Sequence, residues 1–140
     1  DTDRKRMKQA KLPPMRFEST DGYPIYVGRN NRQNDELTFR LARKDDIWCH
    51  ASKVHGSHVI ISCGGTTPPD DTVTQAAQLA AYYAETGGGQ NIPVDVTAVK
   101  QVKKIPNGKP GMVIYHTYRT VIANPYPDIV VDALNAETKE

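Results

Sequence analysis

At 140 residues and 38% hydrophobic side chains, the chain suits one domain with a modest core, burying about two-thirds of its unfolded surface. A formal net charge of +2 is too small to announce a nucleic-acid binder by itself, and two cysteines make no disulfide framework. No apolar run approaches the roughly 20 residues needed to cross a bilayer and no signal peptide opens the chain, so a cytoplasmic setting with reduced cysteines is expected.

The charge is unevenly placed. Arg4, Lys5, Arg6, Lys8, Lys11 and Arg16 crowd the amino end, whereas Asp128, Asp132, Glu137 and Glu140 dominate the other. A basic leader followed by Pro13-Pro14 reads as the end of a preceding helix or linker over residues 1–15, which makes the chain a fragment of something longer. A domain over 16–125 and an acidic tail over 126–140 complete the division.

Within the domain, Phe17 to Ser19, Asp21-Gly22 and Ile25 to Val27 form a small hairpin, because Asp-Gly tolerates the positive φ of a tight turn. The run from Gly28 opens a short helix reaching about Arg40, with Leu37 and Leu41 four apart. A second hairpin follows in Asp46–Ala51 and Gly56–Ile61. The clearest helix spans about Thr72 to Thr86. Val73, Ala76, Ala77, Ala80 and Ala84 recur at helical spacing, Thr72 with Gln75 suits a capping box, and Gly87-Gly-Gly89 ends it. Val94 to Lys103, Met112 to Thr117 and Arg119 to Ala123 then alternate as strands. The expected architecture is α+β, a mixed, mainly antiparallel sheet with about two helices packed on it.

Most of the polar chemistry falls on the second hairpin. Alternation along a strand gives Asp46, Trp48 and His50 one face and Ile47, Cys49 and Ala51 the other. Pairing Ala51 with Ser57 sets His50 opposite His58 and Trp48 opposite Ile60, which gathers two imidazoles beside the indole. A bulge in the loop would shift that register by one residue and break the cluster.

Zinc needs ligands that converge, yet Cys49 and His50 are strand neighbours that point apart, and His50, His55 and His58 match no ligand spacing. The same geometry separates a Cys49 nucleophile from its base, and no phosphate loop is present. Neither metal, cofactor nor catalysis is expected. Nucleic acid fits better. Trp48 and the histidines suit stacking on unpaired bases, while Arg29, Arg32, Lys53, Lys103, Lys104 and Lys109 suit phosphates. The residues alone leave plainer roles open: Trp48 in the core, Arg29 paired with Asp46, and the histidines bonded to each other or to carbonyls.

The order of Gly28-Arg-Asn30, Gln33-Asn-Asp-Glu-Leu37, Asp46-Ile-Trp-Cys-His50, Gly56-Ser-His-Val-Ile-Ile61, Val94-Asp-Val-Thr97, Val102-Lys-Lys104 and Lys109-Pro-Gly111 resembles the NFACT-R (NFACT RNA-binding) domain of the RqcH, NEMF and fibronectin-binding protein A-like family. The likeness runs from about residue 16 to 125. It implies a non-catalytic RNA-binding module of a ribosome-associated quality-control factor. Its expected partners are tRNA or large-subunit rRNA, the large ribosomal subunit and other domains of the parent protein, with no membrane. Full-length relatives bind stalled subunits, and bacterial ones promote alanine tailing; the tRNA-selecting domain of those proteins has no counterpart here. Arg29, Asn30, Arg32, Gln33, Asn34, Asp46, Trp48, His50, Lys53, His58, Lys103, Lys104 and Lys109 are the expected RNA-facing residues. The alternatives are a protein-docking domain and a fibronectin-binding adhesin fragment.

Overall fold

Gly22, at φ +87°, turns the first hairpin of the computed structural model, which describes residues 12–125 and Ile129. The leader before Leu12 and the acidic tail, Ile129 apart, lie outside the described residues. Strand β1 (Met15–Glu18) pairs with β2 (Pro24–Val27), and the chain then enters helix α1 (Asn31–Glu36), which continues as a π-helical turn over Leu37–Leu41. The second hairpin is β3 (Ile47–Ala51) and β4 (Val59–Ile61). Helix α2 (Asp70–Tyr82) leads to β5 (Ile92–Ala98) and a 3-10 turn at Val99–Gln101. Short strands β6 (Lys103–Lys104) and β7 (Val113–Ile114) precede β8 (Arg119–Ala123).

Six strands form one sheet in the order β1-β2-β4-β3-β5-β8, with antiparallel pairing throughout, and β6 with β7 forms a small second sheet. The α+β reading therefore holds. So does the central register: Trp48 faces Ile60 and Cys49 faces Val59, with no bulge.

Alternation sends side chains from this sheet into two cores. Cys49, Val59, Ile61, Val94 and Val96 meet α2 on one face. There Ala76, Ala77, Ala80 and Ala81 are almost wholly buried, and their small side chains let the helix axis approach the sheet closely. On the opposite face Trp48 and Ile60 pack with Leu37, Val99 and Val102 beneath α1 and its π-helical extension. A sheet covered on both sides leaves its central strands buried on both faces.

Several local expectations fail for identifiable reasons. Helix α2 starts earlier than Thr72, so the proposed capping box does not form. Instead Thr72 Oγ1 donates to Ser19 Oγ at 2.8 Å, and Gln75 exchanges bonds of 2.9 and 2.8 Å with Thr20, clamping the first hairpin onto the helix. The helix also stops at Tyr82 rather than Thr86, because Ala84 is drawn into a bridge with Gly56. The expected strand over 94–103 ends at Ala98 because the carbonyls of Asp46 and Lys44 accept from Val99 and Lys100, both at 2.9 Å. Of the strand expected over 112–117, only Val113–Ile114 pairs. The following residues turn back onto the sheet, where Thr97 Oγ1 donates to the Thr117 carbonyl at 2.6 Å and Tyr115 donates to Asp95.

Candidate functional site

The aromatic cluster expected on the second hairpin is present, but it is layered. Trp48 is fully buried. His50 lies parallel over it, with ring centroids 5.5 Å apart and planes 6° apart. His58 and Tyr115 meet the indole edge-on at 5.3 and 4.9 Å. The outward-facing stacking role expected of Trp48 is therefore corrected: the indole is already enclosed by its neighbours, and base stacking needs an open ring face.

His58 is also buried, and both of its nitrogens are used. A carbonyl only accepts, so Nε2–H donates to Gly111 O at 3.1 Å, and the Thr38 hydroxyl then donates to Nδ1 at 2.7 Å. Burial, reinforced by nearby His50, pushes its pKa down to about 3, so the ring stays neutral. Its function in the fold is to fasten the Lys109–Gly111 loop to the sheet. His50, half-buried, is shifted in the same direction, chiefly by burial.

Asp46 does not join this cluster. Its carboxylate accepts from the backbone of Arg43, Cys63 and Gly64 at 2.9, 3.0 and 2.9 Å, which closes the turns at the far end of the strand. The plainer pairing of Arg29 with Asp46 gives way to these backbone bonds, and Arg29 Nε donates to the Pro13 carbonyl at 2.8 Å.

The polar run after Gly28 proves largely structural. Asn30 caps α1 by accepting from Gln33 N at 2.9 Å, and the Gln33 side chain accepts from Arg29 N at 2.7 Å and donates to Leu12 O at 2.8 Å. Buried Asn34 accepts from His58 N at 3.0 Å. Any side chain at Gly28 would collide with Asn34 Oδ1, which explains the glycine there. Arg32 is exposed on α1. Lys103 and Lys104 are exposed on β6, where Lys104 also pairs with Asp35 at 2.8 Å and lies over the Phe39 ring.

Two lysine-lined depressions open on the α1 side of the sheet, beside a more spacious one of about 760 Å³ that Leu37, Leu41, Ile60, Arg43 and Asp46 help to line. The larger of the two lysine-lined depressions, about 480 Å³, lies between the β3–β4 loop and the Ile105–Tyr115 segment. His50 and His58 line its inner part, with Lys53, His55 and Lys109 also in its wall. The smaller, about 370 Å³, is lined by Phe39 together with Lys44, Lys100, Lys103 and Lys104. No aspartate or glutamate lines either one among the described residues. Lys44, Lys100, Met112 and Tyr115 thus join the candidate surface without having been singled out from sequence, and His55, weighed there only as a metal ligand, joins them. The closeness of Lys100 to Lys103-Lys104 was a usable signal for the smaller groove; nothing local marked Tyr115.

Nucleophilic chemistry finds no support at the cysteines. Cys49 is wholly buried, which pushes its pKa up to about 12, and Cys63 is also buried and shifted upward. Among the described residues no group of three or more His, Cys, Asp or Glu side chains is placed to hold a metal ion, and no helix is long and apolar enough to cross a membrane.

What fold and surface define together is a small α+β domain that displays lysines and imidazoles on one side of an antiparallel sheet. The chain belongs to the NFACT protein RNA binding domain family, whose model matches residues 14–117. It is similar to the Rqc2 homolog RqcH of Bacillus subtilis (strain 168), at 46% identity over 116 residues, covering 82% of this chain and 20% of that protein. The Rqc2 homolog RqcH of Streptococcus pneumoniae serotype 2 is 44% identical over 122 residues, covering 86% and 22% respectively. The chain therefore spans about a fifth of the length of these relatives. Among solved structures it resembles the C-terminal part of the fibronectin/fibrinogen-binding protein from Streptococcus suis, with a TM-score of 0.82 and 40% identity, over 87% of this chain and 49% of that one.

Proposed function

We propose that this chain is a non-catalytic, cytoplasmic RNA-binding module of a ribosome-associated quality-control factor, and that it contacts tRNA or large-subunit rRNA through the α1 side of its sheet. In the parent protein it would help hold the stalled large subunit on which alanine tailing proceeds. The observation that carries this reading is the gathering of Lys53 and Lys109 in one depression and of Lys44, Lys100, Lys103 and Lys104 in another, with Lys104 paired to Asp35, on a chain whose net charge is only +2. Lysines gathered on one side create a local positive field that an even spread of the same charges would not.

Binding to purified tRNA and to large ribosomal subunits over a salt series tests it. RNA contact predicts affinity that falls linearly in log–log form as salt rises, because released counterions drive the association. The Streptococcus suis relative is described as fibronectin/fibrinogen-binding, so fibronectin belongs in the same experiment. Salt-insensitive binding to fibronectin, with no RNA complex even at low salt, would favour the adhesin alternative, and binding to neither would favour the protein-docking one.

A further inference from the structure

We propose that the larger cleft is a receptor for a single unstacked nucleotide of the bound RNA, with the base lying against Met112 and Tyr115 and a flanking phosphate held between Lys53 and Lys109. This rests on the RNA-binding reading and adds a ligand class and a place to it.

The cleft, at about 480 Å³, lies in the size range that encloses a small organic ligand. Its walls differ in chemistry. Met112 is 47% exposed and Tyr115 is partly open, which leaves apolar and π surface available for a base. Exposed Lys53, His55 and Lys109 line it as well, and the Asp35 carboxylate behind Gly111 in the wall is paired with Lys104 at 2.8 Å. Double-stranded RNA keeps its bases stacked and paired, so a concave site of this composition suits a base splayed from a single strand.

A second observation concerns Lys53. Among the described residues the non-glycine positions at positive φ are Lys53, Asn91 and Asn107. Asparagine accepts the left-handed region readily, but a lysine there is uncommon. Lys53, at φ 59°, therefore occupies a backbone position better suited to glycine or asparagine, and it is also a cation in the cleft wall. Strain of this kind persists where the surrounding structure holds it in place, and it clusters at ligand-binding sites. The opposite wall is held firmly. His58 bonds Gly111 O, and Asp35 accepts from Gly111 N at 3.3 Å, so the loop bearing Lys109 is placed before any ligand arrives.

The test titrates the 140-residue chain with a single-stranded RNA hexanucleotide, with adenosine and uridine monophosphates and with inorganic phosphate. Imidazole and Met112 methyl signals are followed by NMR, and melting temperatures are measured in parallel. The nucleotides should shift the His50, His55 and Met112 signals and bind at least about fivefold more tightly than phosphate, the least that one stacked base contributes. Lys53→Asn should weaken hexanucleotide binding and reduce its salt slope by about 0.7, without lowering the melting temperature. Lys109→Gln should reduce the slope similarly. Met112→Ser should weaken the nucleotides and leave the phosphate titration unchanged.

Equal affinity for nucleotide and phosphate would overturn the proposal. So would a hexanucleotide that binds while shifting only signals outside the cleft, a result that leaves the RNA-binding reading standing. No hexanucleotide, tRNA or large-subunit binding at low salt would overturn both.

Discussion

Trp48 and His50 stack with their planes 6° apart, the indole fully buried and the imidazole only partly buried above it. Two residues along β3, on one face of it, thus have different roles: Trp48 anchors the core under α1, and His50 forms part of the cleft. The boundary between stability and function runs between those two rings.

Trp48→Ala should accordingly act as a core mutation, destabilising the domain by about 3–5 kcal/mol. His50→Ala, at the cleft surface, should cost much less and change ligand contacts instead. Urea denaturation of both variants, read by far-ultraviolet circular dichroism, checks the difference.

Acid should loosen the domain through His58. Unfolded, this imidazole takes up a proton near its ordinary value of 6.5; folded, only near 3. Between those values the unfolded chain binds more protons, so stability is fully present above about pH 6.5 and lost as pH falls. The loss is up to about 1.4 kcal/mol per pH unit from this group, and His50 adds to it in the same direction. His58→Gln should flatten the melting-temperature profile between pH 6.5 and 4 relative to wild type, while lowering it at neutral pH.

Buried Asp95 fastens the segment after β7 to the sheet, accepting from Tyr115 Oη at 2.5 Å and from Thr120 Oγ1 at 2.9 Å. The same interaction, with burial as the larger cause, raises the Tyr115 pKa well above its ordinary value. Tyr115→Phe keeps the ring against Trp48 but removes one donor, and should cost about 1.5–3 kcal/mol. A double-mutant cycle with Thr120→Val should show coupling of about 0.5 kcal/mol or more, since both hydroxyls serve one carboxylate.

Gly56 lies where the β3–β4 loop meets the end of α2, and a Cβ there would come within 2.8 Å of Ala84 Cβ. Gly56→Ala should destabilise the fold by about 1–3 kcal/mol through this overlap. Ala84→Gly in the same chain should restore part of it, as thermal melts of the single and double variants would reveal.

Much of this was legible before the structure because a strand has a period of two. The alternation through Ile47–Ala51 and Val59–Ile61 was enough to place Trp48 opposite Ile60. Asn30 and Gln33, expected from sequence to face RNA, instead cap α1, so Gln33 and its neighbours serve the fold more than the surface. The burial of Trp48 was harder to read. Its cover comes from Leu37, Val99 and Val102, none of them adjacent in sequence, and a half-buried strand has the same local pattern as one covered on both sides. The cleft was only partly visible for the same reason. Lys53 and Lys109 were marked by their charge, but their meeting across one depression depends on His58 holding Gly111, a bond between residues 53 apart.

The most direct measurement is the slope of log affinity against log salt for tRNA bound to the wild-type chain and to the Lys53→Asn/Lys109→Gln double variant. Surface phosphate contact through this cleft predicts a clear negative slope in wild type and one shallower by about 0.7–0.9 for each lysine removed, with melting temperature unchanged. An identical slope in the two proteins would contradict it.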